Sequence, residues 1–494
     1  MDRRGGEAGM KWLVVLAVAC LVLSLAFASS ALGRTFTVTR ADDPVPSACQ
    51  RGDCSLREAV AAADAHQGAD TVEFAKALSG DTIKLAQGEI ELRRELTIAG
   101  PGAPKLAVSG EHLSRIFHVV GGRITIQGIT IKNGHENATP TGPKCPNSSA
   151  SYYMFGGGIL QDAGSLKLDR VKVRNNSVER SPAGAAIVGG GGIGIIDGKL
   201  LLTRSRLVGN DADGGAITEG GGLVNCVGAV TLSRSTVANS AITASAISDG
   251  GGISSGNGSA NPGELTLIRS TVSDNNSAAD AVGDGGGISV VGGPLTMVSS
   301  TINDNTATVT GGGTVADGGG LYIIDSPAEV TNSTIADNLA SAQDARGGGI
   351  LLGGTNPSLR LRSSTLAQNT ADGTSAAVGG NLSGSMFARL LNTIVAKGKG
   401  DAAQANCDGD VKSSGHDLED KNTCGFDGPG DRVNKNPLLG DLAQNGGPTR
   451  TMALRRGSPA IDRAGSKSSP KRDQRGFKRG LKPDIGAYEF GAKP

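Results

Sequence analysis

Glycine falls in clusters at a regular interval in this chain, and that interval restricts the fold more than any other feature. From residue 156 a glycine triplet followed by an aliphatic residue returns roughly every 29 to 35 positions. The members are Gly156-Gly157-Gly158-Ile159, Gly220-Gly221-Gly222-Leu223, Gly250-Gly251-Gly252-Ile253, Gly285-Gly286-Gly287-Ile288, Gly318-Gly319-Gly320-Leu321 and Gly347-Gly348-Gly349-Ile350. Gly191-Gly192-Ile193 and Gly379-Gly380-Asn381-Leu382 are weaker copies, which makes eight units. Clustering of this kind excludes collagen, which needs glycine at every third position.

Apolar residues keep a fixed offset inside each unit. Leu166, Leu168 and Val173 return as Leu200, Leu202, Leu207, then as Val230, Leu232, Val237 and as Leu265, Leu267, Val272. The series continues with Leu295, Met297, Ile302 and Leu359, Leu361, Leu366. Residues i and i+2 share one face of a strand, so each unit holds a half-buried strand, a bend and a second strand. An asparagine follows three residues later, at Asn176, Asn210, Asn275, Asn305, Asn338 and Asn369.

One such unit cannot bury its apolar residues alone. Stacked units pair strand on strand at about 4.8 Å per coil and align like residues into ladders. Parallel crossovers are right-handed, so the pattern predicts an all-β, right-handed parallel β-helix. Helical repeats share the period but need 3.6-residue spacing, and a propeller blade needs four strands. Ile124, Ile126 and Ile131 carry the offset upstream, and Leu96-Thr97-Ile98 reads as an earlier strand. About ten coils are expected, in a rod on the order of 50 Å long. The insert 135–155 should project from it.

The first 28 residues read as a signal peptide. Arg3, Arg4 and Lys11 precede the apolar run Leu13 to Ala28, and Ala26-Phe27-Ala28 offers a cleavage site. The run is short for a bilayer span. These residues carry three basic and two acidic side chains, which leaves 45 of each in the mature chain. That balance argues against a nucleic-acid partner. No later segment is apolar enough to span a membrane. Six cysteines remain, and an even number in an exported chain favours disulfides over metal. Proximity suggests Cys49–Cys54 and Cys407–Cys424, and Cys145–Cys226 follows by elimination.

The two ends carry a family resemblance. Cys54-Ser55-Leu56-Arg57-Glu58-Ala59 opens a strong helix former with capping-box spacing at Ser55 and Glu58. It resembles the CSLREA motif of bacterial exported β-helix proteins, as do Asp70-Thr71-Val72-Glu73-Phe74 and the segment from Leu96 to Gly102. Residues 436–490 resemble the choice-of-anchor Q domain of bacterial surface proteins. The matching stretches are Asn436 to Gly440, Gln444 to Thr449, Gly457 to Asp462, Asp473 to Gly476 and Asp484 to Glu489. The resemblance implies a pectin-lyase-like β-helix, a cysteine pair at Cys407 and Cys424, and a place at the cell surface. Lacking a sorting motif after Glu489, the chain is expected to be released or held non-covalently. The expected domains are a signal peptide (1–28), an N-terminal helical cap with the first coils (29–122), the Gly-rich repeats (123–400) and a C-terminal capping domain (401–494).

The chemistry is less explicit. Asp249, Asp284 and Asp317 each precede a glycine cluster, and Glu219 holds the same place one unit earlier. Such residues stack on successive coils, either as a carboxylate stripe for Ca²⁺ or a cationic ligand, or as turn formers at a loop end. Asp274, Asp304 and Asp337 read as turn residues. Tyr152, Tyr153 and Phe155 form an aromatic cluster, either a ligand patch or packing under the insert. Tyr322 is the only aromatic between Gly156 and Met386, and no histidine falls between Ile159 and Lys412, so the coils offer no imidazole base. Between Thr449 and Lys482 there are eleven Lys or Arg against two Asp; this end either attracts acidic polymer or is a solvated cap with Arg475 paired to Asp462 or Asp484. No catalytic set stands out. The expectation is an exported, monomeric, non-enzymatic surface or adhesion scaffold binding an extracellular glycan or cell-wall polymer. The alternative is a Ca²⁺-dependent polysaccharide lyase or glycoside hydrolase.

Overall fold

The computed structural model describes residues 32–137, 145–146, 153–179, 187–256 and 262–494; the expected signal peptide and Tyr152 lie outside the described residues. The chain is an all-β parallel solenoid of the right-handed β-helix class, with about nine turns. The coils in the middle of the rod run through three parallel sheets. The first and largest takes two short strands from most coils, such as Ile253–Ser255 and Glu264–Ile268. The third is a single ladder of twelve strands, from Thr82–Lys84 to Leu418–Glu419. The second spans only the middle of the rod, from His135–Asn137 to Thr370–Val378, because the end coils turn without it.

The apolar offset sets the register. Ile124, Leu166, Leu200, Val230, Leu265, Leu295, Ala328 and Leu359 occupy successive rungs of one column. Ile131, Val173, Leu207, Val237, Val272 and Ile302 form another, and all are buried. A continuous core fills the solenoid from Val38 to Phe426.

Asparagines line the corner between the third and second sheets. The Asn275 amide donates to Asn305 Oδ1 at 2.9 Å, Asn305 to Asn338 at 2.9 Å and Asn338 to Asn369 at 2.8 Å. The ladder extends through Asn381 to Asn406 and is interrupted where Ser240 replaces the amide. Glycine clusters make the next corner. The first glycine of each has positive φ, 56° at Gly285 for example. The second and third lie against neighbouring coils: a β-carbon on Gly286 would meet Gly319 O at 2.3 Å. Asp274, Asp304 and Asp337 adopt left-handed φ of 55° to 58°, as turn residues do.

Both ends are closed. Helix α1 (Leu56–Ala65) has the full Ser55/Glu58 capping box and buries Leu56, Ala59, Val60 and Ala63 on the first coil. Cys49–Cys54 fastens its entry. At the far end Cys407–Cys424 holds a loop whose Phe426 packs on the core. Cys145–Cys226 completes the set. Of the insert 135–155, residues 135–137, 145–146 and 153–155 are described; Cys145 is buried with Phe155, Leu160, Val224 and Cys226, where the disulfide holds it on the rod.

Residues 436–490 differ from the expected cap. They lie along the flank of the last coils rather than over the open end. The Gln474 amide donates to Ser300 O and Thr301 Oγ1 and accepts from Thr334 Oγ1. Thr301 Oγ1 also donates to Arg450 O, and the backbone N–H of Ala487 donates to Thr365 Oγ1. A second apolar cluster joins Ala336, Ala367 and Ile394 of the rod to Met452, Leu454 and Ile485. Arg475 pairs with Asp473, at 2.7 Å, and not with Asp462 or Asp484. Its guanidinium lies 3.6 Å over the Tyr488 ring and 4.4 Å from that of Phe477, and it is held there by bonds to Asp473 and to the Glu489 carbonyl.

Candidate functional site: a carboxylate corner

The glycine corner between the second and first sheets carries one outward residue per rung just before it. Glu219 pairs in register with Asp249, Asp249 with Asp284, Asp284 with Asp317, and Asp317 with Arg346. The expected stripe of Asp249, Asp284 and Asp317 is therefore brought together, with Glu219 at one end and Arg346 at the other. Beside it runs a second column from the first sheet, Ser254, Ser289, Tyr322 and Leu351. An open groove of about 490 Å³ leads away from Asp317, Tyr322 and Arg346 toward Ser383 and Asp408.

Four carboxyls on adjacent rungs cannot all be charged without compensation. Glu219 and Asp249 keep a solvent-facing edge, whereas Asp284 and Asp317 are buried. Burial pushes Glu219 up to about 8, helped by the charge on Asp249. Burial likewise raises Asp249 to about 6; the Ser289 hydroxyl lies beside it and opposes the shift without completing a bond of good geometry. Asp284 lies well above the ordinary range, first through burial and then through its neighbours Asp249 and Asp317. Its Oδ1 is buried with no hydrogen-bond partner, and the residue is only 5% exposed. Asp317 is raised by burial, which the Arg346 guanidinium opposes; Arg346 Nε donates to Asp317 Oδ1 at 2.7 Å. Burial and the nearby carboxylates raise the Tyr322 phenol as well.

The aromatic cluster separates. Phe155 is fully buried with Cys145, Leu160 and Ile187. Tyr153 lies in a strand paired with Ile187–Gly189; in register Phe155 of that strand heads the carboxylate column, through Gly189 to Glu219, and Tyr153 stands two residues before it.

A second charged cluster occupies the N-terminal coils. His118 Nε2 contacts Asp162 at 2.8 Å and its Nδ1 contacts Glu89 at 3.2 Å. Arg115, nearly buried, pairs with Glu89 at 2.6 Å and Glu136 at 3.0 Å. Burial works to lower the His118 pKa, but the bonds to Asp162 and Glu89 outweigh it and raise it to about 9. Glu89, Glu91 and His118 stand close enough together to ligate an ion. An imidazolium has no lone pair to offer, so an ion at this place would have to displace the proton that Glu89 and Asp162 hold on His118.

Sequence reasoning missed Arg346, although it precedes Gly347 as Asp317 precedes Gly318. It also missed the His118 network, whose members are scattered from residue 89 to 162 with no spacing to connect them. Compared with protein-family models, with curated proteins and with solved structures, the chain matches none.

Proposed function

We propose that this chain is an exported binding scaffold and that its carboxylate corner takes up a divalent cation, with Ca²⁺ the best fit. The observation that carries this reading is Asp284, a nearly buried carboxyl with an unpartnered oxygen between two further carboxyls. Only a proton or a cation compensates such a group. Adjacent rungs stand about 4.8 Å apart, and Ca²⁺ binds oxygens at roughly 2.3–2.6 Å. One ion midway between two rungs therefore reaches a carboxylate on each, while Mg²⁺ at about 2.0–2.1 Å is too small for that span. Three disulfides, the CSLREA-like start and the choice-of-anchor Q-like flank support export and surface association. Among the described residues no helix is long and apolar enough to cross a membrane. An extracellular glycan bound alongside the ion extends the same reading.

The test is calorimetric titration of Ca²⁺ into the purified protein at about pH 8, above the value of Asp249 and level with that of Glu219, and at about pH 5, below both. Binding at the higher pH that weakens at the lower and disappears in Asp284→Asn is the expected result. No heat and no thermal shift at either pH would overturn it.

A second reading has its own observation. Asp317 is bonded to the Arg346 guanidinium, whereas its neighbour Asp284 has no such cation and is driven toward its acid form beside the Tyr322 hydroxyl. A carboxylate beside a carboxylic acid is what glycoside hydrolysis requires. Incubation with acidic and neutral polysaccharides plus Ca²⁺ separates the two: chain shortening abolished by Asp317→Asn makes the chain a polysaccharide-cleaving enzyme.

A further inference from the structure

One face of the rod changes character halfway along. The turn from the first sheet into the third places one residue per coil in the left-handed region. In order these are Arg170, Arg204, Arg234, Arg269, Ser299, Asn332, Ser363 and Asn392, with φ from 48° to 55°. They sit on consecutive rungs: the Arg170 N–H donates to Thr203 O, that of Arg204 to Ser233 O, and so on to Asn392. The adjoining column of the third sheet runs Lys172, Arg206, Thr236, Thr271, Thr301, Thr334, Thr365. From Ser299 onward the flanking segment 436–490 covers this face and bonds its small polar residues. Upstream, among the described residues, that segment does not reach the face, and from Arg170 to Arg269 the turn positions are basic.

The fold does not ask for arginine at those turns. Left-handed φ is strained for a residue with a β-carbon, and glycine or asparagine relieves that strain. Gly128 takes the same turn one coil earlier, with φ of 63°, and Asn332 and Asn392 take it later. Four successive arginines are thus kept where a less strained residue would serve, at a spacing of about 4.8 Å.

The loop from Gly100 to Pro104 forms a wall opposite this row. Between them lies an open groove of about 620 Å³ lined by Arg170, Lys172, Arg204 and Arg206. It continues past Pro104 into a second hollow of about 360 Å³ with Lys105, Lys132 and Arg174, where Asp81 is the one acid. Asp169 pairs with Arg170 and Arg204. Among the described residues Lys172, Arg174 and Arg206 form no ion pair.

We propose that this groove binds a linear anionic polysaccharide, with roughly one acidic sugar facing each rung. The row is straight, its cations are spaced by the backbone, and the half-buried Gln127 amide in the lining is available to sugar hydroxyls. A single-stranded nucleic acid fits less well, because neither lining contains an aromatic ring on which bases could stack. The groove belongs to the third sheet and is separate from the carboxylate corner, so either site stands without the other.

The experiment measures binding of an oligogalacturonide of defined length to the purified protein at low and moderate salt. Lys172→Glu/Arg206→Glu is compared with Arg360→Glu/Arg389→Glu, which changes the net charge equally on the first sheet, where Arg360 and Arg389 are exposed neighbours. Expected is a loss of about tenfold or more in the first variant, little change in the second, and weakening with salt in the wild type. The neutralising pair Lys172→Gln/Arg206→Gln should show an intermediate loss, and unchanged thermal transitions would confirm intact folds. Equal losses in both charge-reversal variants, or no loss in either, would overturn the proposal. So would tighter binding of a single-stranded oligonucleotide under the same conditions.

Discussion

Residues with displaced pKa values make this protein's stability depend on pH in a specific direction. His118 titrates at about 9 in the folded chain, against about 6.5 unfolded. Its stabilisation is complete below the unfolded value and is lost as pH rises through about 9, an effect of up to about 3 kcal/mol. Glu219 and Asp249 act in the same sense. Carboxyls held at about 8 and 6 bind protons in the folded state that the unfolded state has released, so the corner also loses stability as pH rises from about 4 up to those values. The two sources separate by mutation. His118→Gln should flatten the decline between about pH 7 and 9 and lower stability at about pH 6. Glu219→Gln with Asp249→Asn should instead raise the melting temperature at about pH 8. Melting curves across this range check both, and a His118→Gln profile parallel to the wild type would refute the first.

At the scale of elements, the ladders explain why a chain with so few aromatics holds together. Asn305 donates to Val272 O and Asn338 Oδ1 and accepts from the amide and backbone N–H of Asn275. Asn305→Ala would strand these buried groups and should cost about 3 kcal/mol, read as a lower urea midpoint. Gly286→Ala should be at least as damaging, because its β-carbon would meet backbone atoms of Thr306 and Gly319 at 2.3 Å. An exposed, φ-tolerant position such as Gly312, whose β-carbon would meet nothing, is the control. These ladders were legible in the sequence because a stacked fold converts sequence period directly into neighbourhood. The Leu166, Leu200, Val230 column and the asparagine series needed only alignment of the repeats, as did the stacking of Asp249, Asp284 and Asp317. The same alignment contains the arginines, each two residues after Leu168, Leu202, Leu232 or Leu267. They escaped notice because a charged residue after a strand is ordinary surface, and only the bare flank gives the row a meaning. The His118 network and the lateral placement of residues 436–490 were not legible, since both join segments that share no period.

At the scale of the whole molecule, the flanking segment breaks the rule that a solenoid touches only its neighbours. Gln474 and Thr449 bond residues about 150 or more positions away, on the coils of Ser299 and Thr301, and the Arg472 carbonyl accepts from Asn332. Four coils are thereby bound into one cooperative unit. Among the described residues the upstream half has no such strap, and it carries a row of like charges within a Debye length of one another at about 0.1 M salt. What ties it is Cys145–Cys226, which closes a loop of 81 residues and contributes on the order of 4 kcal/mol in the chain-entropy account. Replacing that bridge by Cys145→Ser/Cys226→Ser should therefore split unfolding in two. An early transition would belong to the coils from Arg170 to Arg269 and move to higher urea as salt screens the arginines, while the strapped coils unfold later and respond little to salt. Hydrogen exchange assigns each transition to its half of the rod. A single transition with an unchanged midpoint would mean that stacking alone couples the halves, and that neither the strap nor the disulfide divides the molecule.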